Sequence, residues 1–106
     1  MKPPKSVKVG HATYELQPSE PHDSWARGVY GDMNYAHLRI RYNKALPPQA
    51  MAEVILHEVL HAIYSGWNVA EDDKEEAVVS KVAMGLSAVM RDNPRLVAWV
   101  QEALGK

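Results

Sequence analysis

Polar residues alternate loosely with β-branched and aromatic ones over residues 6–16, "SVKVGHATYEL", and the alternation predicts a strand. The next stretch, "QPSEPHDSWA", holds two prolines and several turn formers and predicts a loop. Two more strand candidates follow, Gly28 to Met33 and Ala36 to Tyr42, with turn chemistry in "GDMNY". In the second, Leu38, Ile40 and Tyr42 point one way, and His37, Arg39 and Arg41 point the other. Two arginines on one face predict an edge or half-solvated strand. After Pro47-Pro48 the period becomes helical, from about Pro48 to Ser65, with Gly66 as the stop. Met51, Val54, Ile55, Leu56, Val59, Leu60, Ala62 and Ile63 make this helix apolar nearly all round, which predicts a central, buried position.

"GWNVAEDD" reads as a connector, with Asp72 or Asp73 as the cap of a second helix. Its apolar positions are Val78, Val79, Val82, Ala83, Leu86, Val89 and Met90. "Arg91-Asp92-Asn93-Pro94" ends it; Asn93 then caps a short last helix through about Leu104, closed by Gly105. Strands come first and helices after, so the predicted class is α+β in a single domain, residues 1–106. The expected architecture is a small antiparallel sheet, a buried helix, a second helix and a short C-terminal helix.

Composition narrows the function classes. Twelve basic and 13 acidic residues give a formal charge of −1, too balanced for a nucleic-acid footprint. Cysteine is absent, which excludes disulfides and Cys-ligated zinc and agrees with a reducing compartment. The basic start "MKPPKSVKVG" has no apolar stretch after it, and no apolar run approaches the roughly 18 residues of a membrane span. The expectation is a cytoplasmic protein with neither membrane nor nucleic acid as partner.

The chemistry is concentrated in "ILHEVLHAIYSG". Residues four apart share a helix face, so His57 and His61 can aim two imidazoles at one point. That is the spacing of two ligands on one zinc ion. Glu58 lies about 100° round the helix from His57 and can act as general base on a metal-activated water. Chance alone puts H-E-x-x-H into roughly two of a hundred chains of this content. Three polar groups on an apolar helix, however, make poor core residues unless they hold something.

Zinc needs a third protein ligand. Positions 64 and 67 are Tyr and Trp, so the pattern H-E-x-x-H-x-x-G-x-x-H is excluded. The second helix offers Glu75 and Glu76. Glu76 is in line with Val79, Ser80 and Ala83; Glu75 is in line with Val78, Val79 and Val82. Periodicity leaves both open.

"VILHEVLHAIYSG" followed by "EEAVVSKVAMGLSAVMRDNP" resembles the small zincin-like metallopeptidases of phage and prophage proteins. It also resembles, more distantly, the peptidase domain of ImmA/IrrE type. The resemblance spans about Gly28 to Val100. It implies a gluzincin-like domain in which a short sheet precedes the active-site helix, and a Glu on the next helix completes the site. It implies one zinc per chain on His57, His61 and Glu76, with Glu58 catalytic and a peptide or protein as substrate. Ser80 stands where the family has Asn, so Glu75 stays open.

Tyr64 and His37 are candidates for substrate or oxyanion contacts, and Tyr35 is a weaker one. The strand Ala36 to Tyr42 is expected to hold an extended substrate by strand addition. Surface positions are expected for His11 and His22, and packing roles for Trp25, Trp67 and Trp99. The rival reading is a non-catalytic zincin-fold module that binds a phage or host protein.

Overall fold

The computed structural model describes residues 2–23, 30–66, 74–92 and 94–104. The strands are β1 (Ser6–Val9), β2 (Ala12–Ser19), β3 (Gly31–Asn34) and β4 (Arg39–Asn43). The helices are α1 (Pro48–Gly66), α2 (Glu75–Asp92) and α3 (Pro94–Leu104). The class is α+β, with a four-stranded sheet of order β1-β2-β4-β3. No helix among the described residues is long and apolar enough to cross a membrane.

The sheet is mixed, which corrects the expectation of an antiparallel one. β1 pairs β2 and β3 pairs β4 antiparallel, but β2 and β4 run parallel, with Leu16 opposite Ile40 and Pro18 opposite Tyr42. Alternation along a strand sets which face is buried, not which neighbour it pairs with. The expected strand over residues 6–16 is a hairpin instead. Gly10, at φ 65°, turns the chain between Val9 and its register partner Ala12. β2 then continues through Gln17, Pro18 and Ser19, into the predicted loop. Leu38 adopts φ 49° in the turn before β4, so it precedes the strand rather than belonging to it.

The core lies between one sheet face and α1. Val9, Tyr14, Leu16, Ile40 and Tyr42 are buried against Ala62, with Val54, Ile55, Val59 and Ile63 packed beside them. In α1 only Glu58 and Ala62 are buried. The helix is therefore half-enclosed: the sheet covers one side, α2 another, and the other apolar positions stay partly exposed. Its entry is fixed by Asn43, which is buried; Asn43 Oδ1 accepts the amide of Ala45 at 2.9 Å, and the Pro47 carbonyl accepts that of Met51. The Val78 amide donates to the Lys74 carbonyl, so Lys74 occupies the cap position of α2. Asp72, Asp73, Asn93, Gly105, Trp25 and Trp67, and the side chains of Val89 and Trp99, lie outside what is described.

Gly31 sets the distance between sheet and helix. A Cβ there would stand 2.6 Å from Val54 Cγ1, 2.9 Å from the Arg41 carbonyl oxygen and 3.6 Å from Glu58 Cγ. Neither the branched Val54 nor a backbone carbonyl yields easily. Gly31→Ala is expected to destabilise the protein by about 1–3 kcal/mol, the usual cost of overpacking. Urea unfolding of the two proteins checks this; an unchanged midpoint would mean that β3 shifts freely.

Candidate metal centre

α1 and the first turn of α2 meet at the open side of this core. His57 and His61, one turn apart, present their Nε2 atoms 3.3 Å from each other. Glu76 reaches between them, with Oε1 2.7 Å from His57 Nε2 and Oε2 2.8 Å from His61 Nε2. Among the described residues these three side chains form a group whose ligand atoms lie within 4.8 Å of one another. Glu75 meets the other side of the His61 ring, with Oε2 2.9 Å from Nδ1.

Sequence geometry explains the split. Val79 and Ala83 are buried at 1% exposure each, whereas Val78 and Val82 are exposed. The inward stripe of α2 thus runs Glu75, Val79, Ala83 at four-residue steps. Glu76 sits about 100° further round and approaches the histidines from the solvent side. Its side chain is 67% exposed, against 16% for Glu75. Both carboxylates lie in the first turn of α2, where the helix dipole favours negative charge.

Glu58 belongs to the same cleft but not to this group of three. It is one of the two buried positions of α1, and burial pushes its carboxyl up to about 7. The nearby His61 opposes this shift, while the negative charges of Glu76 and Asp32 add to it. The cleft has a volume of about 590 Å³ and opens between α1, β3 and α2.

Several lining residues escaped the sequence reading. Tyr30 and, in β3, Gly31, Asp32 and Met33 form one wall. Asp32 is held by Arg41 across the strand pair, with Arg41 Nε donating to Oδ1 at 2.8 Å and Nη2 to Oδ2. Glu53 also lines the cleft. It stands four before His57, so its place on that face was readable from spacing. Tyr64 and His37 do not line the cleft. Tyr64 is half-buried on α1, and His37 is exposed in the β3–β4 turn, where its amide donates to Asn34 Oδ1. Tyr35, in the same turn, is exposed.

The donor set suits a divalent cation. Two imidazole nitrogens and a carboxylate at these distances need a proton or a metal between them. Tetrahedral zinc with nitrogen ligands at about 2.0–2.1 Å gives a ligand–ligand edge of about 3.3–3.4 Å. The separation of the two Nε2 atoms, 3.3 Å, equals that edge. The Glu76 contacts are shorter, at hydrogen-bond length, and its exposed side chain has room to withdraw.

No family model, curated protein or solved structure matches the chain.

Proposed function

We propose that the chain is a zinc-dependent peptidase with a zincin-like site, akin to the small phage and prophage metallopeptidases. One observation carries this reading: His57, His61 and Glu76 converge on one point while Glu58 stands beside them, buried and outside the ligating set. His57, His61 and Glu76 would hold the zinc. When bound, zinc supplies Lewis-acid activation of a water and of the substrate carbonyl. Glu58 takes a proton on its carboxylate oxygen and returns it to the leaving amine nitrogen. Burial raises this carboxyl in the metal-free protein, and the charge of a bound cation would draw it down again. A purely structural metal site has no use for such a base.

Substrate holding moves from the strand expected to do it. The region Ala36–Tyr42 contributes β4, which is interior and paired on both sides by β2 and β3. Among the described residues β3 ends the sheet and borders the cleft, so an extended peptide can add along it, beside Glu58.

The non-catalytic module keeps one specific support: α2 leaves Val78, Val82, Met84, Leu86 and Met90 exposed, an apolar surface suited to a protein partner. Incubation with an unfolded protein, with zinc and with chelator, separates the readings. The peptidase reading expects cleavage products by mass spectrometry that vanish with chelator and return with zinc. Zinc-loaded protein that cleaves nothing would favour the binding module.

A further inference from the structure

Of the two carboxylates that touch the histidine rings, one is left without a task. Glu75 is largely buried, yet it is not part of the ligating group. Its Oε2 touches His61 Nδ1, and its buried Oε1 has no hydrogen-bond partner among the described residues. A carboxylate beside Val79 and Ala83 is costly to bury unless the contact it makes matters.

The contact has a defined consequence. An ionised carboxylate only accepts, so the Nδ1 that faces Glu75 must be the donor. A neutral imidazole carries one ring proton. Nε2 also faces a carboxylate oxygen, Glu76 Oε2, and in that contact it too needs a proton; an ion bound between them replaces that proton, which leaves the ring proton on Nδ1 and the lone pair on Nε2, beside His57 and Glu76. We propose that Glu75 is a positioning residue, which holds His61 as the Nδ1–H tautomer and aims its Nε2 at the metal position. This rests on the metal-centre reading above. The adjacent glutamates of α2 then divide the work: Glu76 binds the ion, and Glu75 orients the histidine that binds it. Such outer carboxylates fix ring orientation and raise ligand basicity.

The test is a zinc titration of the full chain, labelled with ¹⁵N at histidine, for wild type, Glu75→Gln and Glu75→Ala. Affinity is read by competition with a chromophoric chelator, and the His61 ring nitrogens by NMR. Zinc-loaded wild type is expected to show His61 protonated at Nδ1, with a downfield, slowly exchanging N–H. Glu75→Ala should weaken zinc binding by about 10–100-fold and speed that proton's exchange. Glu75→Gln keeps an acceptor of the same length, so it should lose less affinity and shift the N–H upfield. Wild type that binds zinc, with both variants unchanged in affinity and in the N–H signal, would overturn the positioning role alone. So would a Gln variant as deficient as Ala with the N–H signal intact, since that is the behaviour of a direct ligand. Wild type that takes up no zinc would overturn the metal-centre reading itself.

Discussion

Glu58→Gln is expected to lower peptide hydrolysis by about 10²–10⁴-fold, the usual contribution of a positioned general base. The substitution keeps the size and shape of the side chain and removes only its ability to take a proton. It should not displace the metal, because Glu58 is not one of the three residues whose ligand atoms converge. Metal content should therefore match wild type while turnover falls. Both are measured on one preparation, by elemental analysis and by a peptide-cleavage assay. Activity within about tenfold of wild type would mean that another group moves the proton.

The same substitution is expected to act in the opposite direction on stability. In the metal-free protein Glu58 titrates near 7, raised from 4.5 mainly by burial. Between those values the folded state binds more protons than the unfolded chain, so stability falls as pH rises. The favourable contribution is complete below about 4.5 and is lost as pH rises through about 7. The accumulated cost is about 3 kcal/mol, from the size of the shift. Glutamine carries no charge and removes it. Metal-free Glu58→Gln should therefore be more stable than metal-free wild type at pH 8, and the two should converge near pH 4. Urea unfolding in chelator at both pH values decides this; equal stability at pH 8 would mean that the carboxylate is better solvated than its burial implies. The two results together would describe a residue kept for chemistry at the expense of the fold.

The boundaries of α1 were legible because backbone chemistry writes them: prolines at its start and Gly66 at its end. The spacing of His57, Glu58 and His61 was equally legible, since a helix converts sequence distance into direction. Sheet pairing was not. The insertion of β4 between β2 and β3 is settled by what the chain packs against, and no strand states its neighbour. The enclosure of α1 was overestimated for a related reason: apolar side chains all round the helix do not state which of them the sheet and α2 will cover. The choice between Glu75 and Glu76 is one of about 100° of helix rotation. Val78, Val79, Val82 and Ala83 allow two inward stripes, and only contact with α1 selects Val79 and Ala83. Gly31 carried a readable hint, because glycine inside a strand often marks close backbone approach. Asp32 did not, since its place by the cleft depends on β3 lying at the sheet's end.

The proposed peptidase activity depends on a metal at His57, His61 and Glu76. The most direct measurement is bound metal per chain, by elemental analysis, on protein purified without chelator or metal-affinity resin, beside His61→Ala. About one zinc per chain is expected in wild type, and its loss in the variant. Wild type that carries no metal, and takes up none when zinc is added, would contradict it and leave these residues as a proton-bridged polar cluster between two helices.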